Sequence, residues 1–540
     1  MNRRDFLRTS SAATVLAALP QETFAQSPQA AAAANTGTAW DRGRLLHLLP
    51  TVSDQEMLVK ASFDATLTAP PLLRVGPHAV SGSMSDTRGE CWQFHVKDLE
   101  PGRRYRLMLV TGGKSGGKPL CEPWELATFP AHDARPEHVR VLFYTCAGGH
   151  EQLTFLPVAI RNRLLRRALS FRPDAVVANG DHVYWDLRSP LTVKSYGRRA
   201  VALAGNFERS AVIFGSDNEF VLKRAAGPQI APVYGTDFRS TPVFFIQDDH
   251  DYFDNDEAYD EIVTFPPDHF MTQAARATQA LYYPEFLPDA TRPAGLAGAS
   301  AGGRALPVSE SFGTLRYGRL LEVLLYTVRR TMTMAGPSAV FLEDTAEAWL
   351  KARMAATEVL HVVNAPSNPP GWTAGKWGEW YPDLLGADGK LTIESPKPYW
   401  QSGWLKQHDR LIAAMSGMRG RIPLAMSGDL HAIAIGRILS TGTIDLSANP
   451  VVAVLTGPVG TRPGGWPSGV RRIGAQPSLH LQMDEQVKPI EQHGFTLADF
   501  TSDKVVLRMF KWDVKTQGPE ALDTLEPFHT AELAMPDYLR

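Results

Sequence analysis

Four stretches of this 540-residue chain run from apolar residues into a turn that carries a metal-binding side chain. Residues 176–184 read Val-Val-Ala-Asn-Gly-Asp-His-Val-Tyr. The apolar half suits a buried strand, and Asp181 falls at its carboxyl end, where open α/β sheets gather ligands. Tyr184 follows three residues later and can aim its oxygen at the same point. Carboxylate plus phenolate is a hard-oxygen pair suited to Fe(III) or another strongly polarising cation, and hydrolysis is the first chemistry such an ion offers.

Residues 243–251, Val-Phe-Phe-Ile-Gln-Asp-Asp-His-Asp, repeat the plan and deliver Asp248, Asp249, His250 and Asp251. Residues 422–431 do so again with Asp429 and His431, and residues 139–149 end a strand in a small-residue loop that presents Cys146. Charged groups at strand ends gain nothing from folding unless they are paired or bind a metal. Four such junctions in one chain therefore argue for one shared site. Beside a cation, Cys146 would be a thiolate at neutral pH.

In this order the motifs Cys146, Gly180-Asp181-x-x-Tyr184, Asp248-Asp249-His250-Asp251 and Gly428-Asp429-Leu430-His431 resemble the calcineurin-like metallophosphoesterases. The resemblance is nearest to the PhoD-like (alkaline phosphatase D) branch, related to purple acid phosphatases, and runs from about residue 139 to the C-terminus. The Asp-x-His motif that opens most of these proteins is absent, and Cys146 stands where the PhoD-like branch carries a cysteine ligand. One histidine between the second and last clusters has no counterpart; His361 is a poor substitute.

The resemblance implies an α/β fold, an αββα sandwich, and hydrolysis of phosphomonoesters or phosphodiesters at alkaline pH by a hydroxide held between two metal ions. It implies Asp181 as the bridge, with Cys146, Tyr184 and His431 on an Fe(III) side and Asp249 and Asp429 on a second, divalent ion. An oxygen-rich second site favours Ca²⁺ over Zn²⁺, Mn²⁺ or Mg²⁺. His250 is then free as the catalytic residue that protonates the leaving alkoxide; its other reading is a metal ligand or a partner of Asp429. A phospholipase- or nucleotidase-like diesterase and a non-catalytic phosphate- or wall-binding protein are the competing expectations.

Two features point to substrate contacts. Residues 371–382 are rich in tryptophan and carry Lys376 and Trp377; they are similar to a Trp-Asp-Gly-Tyr segment that lies near the substrate mouth in the PhoD-like branch, and equally suit a core. Arg329 or Arg330 follows an apolar strand and can grip phosphate bidentately.

The elements that must position these groups are legible in outline. Arg3-Arg4-Asp5-Phe6-Leu7, an alanine-rich run to Leu19 and Thr23-Phe24-Ala25 look like a twin-arginine signal over residues 1–25. It implies recognition by the twin-arginine export machinery and a periplasmic or secreted protein; its apolar stretch is too short to span a membrane. Residues 38–130 alternate in short runs divided by Gly, Pro and Asp turns, predicting a β-sandwich. Within it, residues 99–107 resemble the Leu-x-Pro-x-x-x-Tyr turn of fibronectin type III domains, in which the Tyr105 hydroxyl would secure a corner.

Residues 130–136 read as a proline-bounded linker, and 138–540 suffice for one α/β catalytic domain. Cys91 and Cys121 could pair in an oxidising compartment, leaving Cys146 as the odd thiol. Helical periodicity over residues 153–171 puts Arg161, Arg163, Arg166 and Arg167 on a solvated face, and residues 288–305 read as a loop or lid. A net charge of −2 gives no nucleic-acid-binding surface, so the expected partners are small phosphate esters, with the chain acting as a monomer.

Overall fold

The structure is a computed structural model that describes residues 40–112, 117–185, 194–253, 265–289, 291–292 and 312–535. The expected signal at residues 1–25, and residues 293–305 of the expected loop, lie outside the described residues. Asp41–Arg540 form one compact unit.

The described residues open with eight strands: β1 (Leu45–Val52), β2 (Met57–Phe63), β3 (Leu72–Val75), β4 (His78–Ser81), β5 (Ser83–Met84), β6 (Cys91–Val96), β7 (Arg104–Val110) and β8 (Trp124–Ala127). They make two four-stranded sheets, β1-β2-β6-β5 and β4-β3-β7-β8, antiparallel throughout. Alternation decides the faces: in β7, Tyr105, Leu107 and Leu109 turn inward while Arg104 and Arg106 stay exposed. The Tyr105 hydroxyl accepts the Glu100 N–H at 2.8 Å, tying down the corner.

The Cys91–Cys121 disulfide that the sequence left open is not formed; Cys91, Cys121 and Cys146 are all free. Cys91 opens β6 of one sheet, whereas Leu120, beside Cys121, bonds to Leu109 of β7 in the other. Burial pushes both thiols up to about 12.

Buried polar contacts join these sheets to the rest of the unit. His47 lies 2.7 Å from Ser62 Oγ and 2.6 Å from the Tyr282 carbonyl, and buried Lys60 pairs with Glu285 at 3.1 Å. Phe129, just before the proline-bounded connection, stacks on Phe244.

Beyond the connection come two mixed sheets. The first has the order β11-β10-β9-β19-β20-β21, built from β9 (His138–Thr145), β10 (Ala175–Asn179), β11 (Val243–Ile246), β19 (His493–Thr501), β20 (Lys504–Trp512) and β21 (His529–Ala534). The second, eight-stranded, runs through β12 (Phe312–Tyr317), β13 (Leu321–Tyr326), β14 (His361–Pro366), β15 (Leu424–Ser427), β17 (Val451–Thr456) and β16 (Ile433–Thr441), with Ile444–Asp445 and β18 (Leu481–Ile490) both pairing on β16. In each, the central strands are parallel and nearly all buried, as strands covered on both faces must be.

Helices cover the sheets. Those described are α1 (Val158–Ser170), α2 (Lys194–Ala204), α3 (Asp217–Tyr234), α4 (His269–Tyr282), α5 (Asp344–Ala355) and α6 (Ser402–Ser416), with a one-turn helix at Ser468–Arg471. Leu164, Leu222, Ile230 and Leu281 pack with Leu142, Val176 and Phe245 of the first sheet. Trp349, Leu350, Leu411 and Ile412 pack with Leu324, Val362 and Leu455 of the second. Side-chain oxygens start α3 and α4: Ser216 accepts the Asn218 N–H, and Asp268 the Met271 N–H, satisfying donors that a helix start leaves open.

The two sheets meet at the site. Asn179, at the end of β10, donates through Nδ2 to the Pro366 carbonyl at 3.0 Å and the Met426 carbonyl at 3.3 Å, and the Thr145 N–H donates to Gly457 O.

Candidate metal centre

Strands β9, β10 and β11 are parallel and end in register, Thr145 beside Asn179 and Asn179 beside Ile246. Their carboxyl ends therefore open on one edge, and Cys146, Asp181 and Asp249 emerge together. The second sheet adds Asp429 and His431 after β15. Gly428 permits that approach, since a Cβ there would lie 2.1 Å from Thr145 Oγ1.

Four chemistry-bearing residues turn the chain through left-handed backbone: Cys146 (φ 52°), Asp181 (57°), Asp429 (66°) and His431 (48°). Non-glycine residues adopt this region at a cost of roughly 1–3 kcal/mol each, and such strain gathers where side chains must be aimed.

Groups behind the loops hold that geometry. The Asp251 carboxylate accepts four backbone N–H groups, those of Asp181, His182, Val183 and Asp248, at 3.0–3.1 Å. Gln229 of α3 accepts the N–H of Gly149 at 2.8 Å and of Tyr184 at 2.9 Å. Arg163 and Arg166 lie on the surface paired with Asp523 and Asp237, but Arg161 departs from the expected solvated face. It is fully buried and donates to the Ala147 and Gly148 carbonyls at 2.9 and 3.1 Å, bracing the Cys146 loop.

Four donors converge at one end of the site. Asp181 Oδ2 lies 3.1 Å from Cys146 Sγ, 3.3 Å from Tyr184 Oη and 3.7 Å from His431 Nε2, and Tyr184 Oη lies 3.1 Å from His431 Nε2. Such spacings suit donors around a single ion with bonds of ~2.0–2.3 Å. Cys146, Asp181 and His431 form one grouping able to hold a metal; Asp181, Asp248 and Asp249 form a second that shares Asp181. Asp181 Oδ1 and Asp248 Oδ2 are buried without a hydrogen-bond partner.

The carboxylates at the other end are engaged by cations. Arg329 Nε donates to Asp248 Oδ1 at 2.8 Å, and Nη2 lies 3.8 Å from Asp429 Oδ2. Lys376 Nζ donates to Asp429 Oδ1 at 2.5 Å and Asp249 Oδ2 at 3.2 Å. Asn368 donates to Asp429 Oδ2 at 3.1 Å. Asp249 and Asp429, expected to share a second ion, thus share an ammonium group.

His250 packs against Tyr184 with ring centroids 4.2 Å apart and the rings tilted by 37°, and lies 4.0 Å from Asp249 Oδ2; its side chain is 17% exposed, the most open of the groups clustered here. Arg329 is the arginine that enters the site, while neighbouring Arg330 is half-buried. Lys376 lies in the pocket; half-buried Trp377 packs beside Tyr399. His361 is elsewhere, hydrogen-bonded to the Thr501 carbonyl at 2.7 Å.

Burial dominates the electrostatics. It raises the Asp181 carboxyl to about 6, helped by the neighbouring Asp249. It raises Asp248 to about 7 against the pull of Arg329, and Asp429 well above the usual range against Lys376. His431 is pushed down to about 3 by burial and then by His250 and Lys376, so it keeps a neutral, ligand-ready imidazole. Burial and Asp181 drive the Cys146 thiol well up. Acidic groups crowded in a dry pocket resist ionising together, and a bound cation reverses that balance.

Asp248, Asp251, Asn368 and Trp466 stand at the site without a role foreseen from the sequence. Asp248 stood inside a quoted motif, and Asp251 follows it at the spacing of a helix-start capping box, a usable local signal. Asn368 and Trp466, whose ring lies 5.2 Å from His431, had none.

Two mixed sheets under helices, with metal-capable loops at their strand ends, define an α/β fold of the PhoD type. The chain is similar to the solved structure of PhoD, with a TM-score of 0.56 and 13% identity over 93% of this chain and 90% of that one. A type III pullulan hydrolase from Thermococcus kodakarensis is similar at 8% identity over 72% of this chain and 61% of that one, with a TM-score of 0.15. No protein-family model and no curated protein matches the chain.

Proposed function

We propose that this protein is a metal-dependent phosphoric ester hydrolase of the alkaline phosphatase D type, acting on phosphomonoesters, phosphodiesters or both. The convergence of Cys146, Tyr184 and His431 on Asp181 Oδ2 at 3.1–3.7 Å, beside the more open His250, carries this reading. Thiolate, phenolate, carboxylate and imidazole together fit Fe(III). Such an ion, when bound, lowers the pKa of water and neutralises charge that builds on phosphoryl oxygens.

The chain's own groups supply the rest. His250, held against the Tyr184 ring, is placed to donate a proton to the departing alkoxide. Arg329 and Lys376 keep positive charge at the far end of the pocket, facing the oxygens of an incoming phosphate. Asp251, Gln229 and Arg161 hold the loops so that the donors need no rearrangement when substrate arrives. A role limited to phosphate or wall binding would leave a partly open histidine beside the donors without purpose.

The twin-arginine pattern in residues 1–25 supports export and a periplasmic or secreted location, with the protein acting as a monomer on small phosphate esters. Among the described residues no helix is long and apolar enough to cross a membrane. Iron-loaded protein assayed at alkaline pH with p-nitrophenyl phosphate and bis-p-nitrophenyl phosphate tests the activity. Turnover of at least one is expected; iron-containing protein that turns over neither overturns the assignment.

A further inference from the structure

Two-metal phosphoesterases place two cations about 3.5–4 Å apart, one activating the nucleophile and the other clamping the ester oxygens. In this chain the carboxylates beyond Asp181 are already threaded on fixed cations, in the order Asp248, Arg329, Asp429, Lys376, Asp249. The links are 2.8 Å from Arg329 to Asp248, 3.8 Å from Arg329 to Asp429, 2.5 Å from Lys376 to Asp429 and 3.2 Å from Lys376 to Asp249. All five side chains are at most 2% exposed.

The lysine is held in place rather than reaching in loosely. Its loop is fastened on both sides: Glu379 Oε1 accepts the Ala374 N–H at 2.8 Å and Glu379 Oε2 pairs with buried Lys397 at 3.1 Å. Arg471 donates to the Ala374 and Gly375 carbonyls at 3.0 and 2.8 Å. The Trp466 ring covers the ammonium, 5.1 Å from Nζ. An ammonium so fixed between two carboxylates stands where the second ion's ligands were expected. A divalent ion placed on Asp181, Asp248 and Asp249 would meet the ammonium and the guanidinium, each engaging one of its ligands, in a dry pocket where like charges repel strongly.

We infer that Lys376, with Arg329 behind it, supplies the positive charge that a second metal ion supplies in two-metal phosphoesterases, so that the centre takes a single ion, at the Cys146 end. This rests on the reading of that end as a metal site. The second cation is then covalently part of the chain: it cannot be removed by chelators, and its strength as an electrophile is that of an ammonium group.

Metal stoichiometry tests this directly. Purified full-length protein is loaded with iron, exposed to excess Ca²⁺ or, separately, Mn²⁺, freed of loose ions by gel filtration and assayed by elemental analysis. Wild type should retain one iron and no second ion per chain, and its Fe(III) paramagnetic resonance signal should be unchanged by Mn²⁺. Lys376→Met, which keeps the volume and removes the charge, should take up about one further divalent ion per chain and show magnetic coupling when that ion is Mn²⁺. Lys376→Gln repeats the test should the methionine variant fold poorly. Wild type that retains two ions overturns the inference, as do folded variants that both remain at one. Wild type that retains no iron overturns instead the metal reading of the Cys146 end, and this inference with it.

Discussion

The Asp251 carboxylate receives the backbone N–H of Asp181 at 3.0 Å. The bond crosses from the loop after β11 to the loop after β10, and the same carboxylate also caps His182, Val183 and Asp248. One acid thereby sets the backbone of the residue shared by both metal-capable groupings, without being in either.

Asp251→Ala should accordingly destabilise more than an ordinary core truncation. It leaves four buried N–H donors without their acceptor, and at ~1 kcal/mol or more each the loss should be about 4 kcal/mol, a large share of typical domain stability. Urea unfolding gives the loss; elemental analysis of the folded fraction should show reduced iron. A stable variant with full iron content would contradict the clasp.

Tyr184 should be readable by colour. Its oxygen sits 3.1 Å from His431 Nε2 and 3.3 Å from Asp181 Oδ2, so an Fe(III) ion there would absorb visible light by charge transfer from the phenolate. Tyr184→Phe should abolish that band, and Cys146→Ser should weaken iron binding at least by the roughly 10–100-fold typical of lost outer-shell partners. A band that survives in Tyr184→Phe would remove tyrosine from the ion.

His250 should matter most where the leaving group is poor. If it protonates the departing oxygen, His250→Ala should lower kcat by ~10²–10⁴-fold for alkyl phosphates. The loss should be much smaller for p-nitrophenyl phosphate, whose phenolate leaves without help. Equal losses on both substrates would assign His250 to positioning instead.

Stability should fall in mild acid, with His47 contributing. Burial depresses its pKa to about 4, with the nearby Lys60 charge adding to the fall and the contact with the Tyr282 carbonyl opposing it, against an ordinary value near 6.5. The unfolded chain then binds the proton that the folded one refuses. The contribution is complete above pH 6.5 and is lost as pH falls toward 4, to a total of roughly 3 kcal/mol. Thermal unfolding at pH 7.5 and pH 5 should show a smaller drop for His47→Gln than for wild type, and an identical drop would rule this histidine out.

Much of the site was legible because its signals are local. An apolar run followed by Gly-Asp, or by Asp-Asp-His-Asp, specifies a strand and its turn within about ten residues. Tyr105 was legible for the same reason, its partner Glu100 being five residues away. Arg161 was not: periodicity counts it as one polar residue among several, whereas the carbonyls that draw it inward belong to the Cys146 loop. Whether Cys91 and Cys121 pair was open in the sequence for the same reason, since two thiols in one region can still lie apart in the fold.

The sequence by itself determined which donors this protein owns and that strand ends present them, because side-chain type and turn chemistry are properties of a short segment. Only the tertiary structure decided what each donor faces. Lys376 lies 127 residues from Asp249 and 53 from Asp429, and nothing in its own segment announces that it will be drawn between them. Joining the two sheets at Asn179, which donates to the Pro366 and Met426 carbonyls, brings those segments together, and burial then makes the choice of partner decisive: a carboxylate removed from water must find a cation, and the fold fixes which one is within reach.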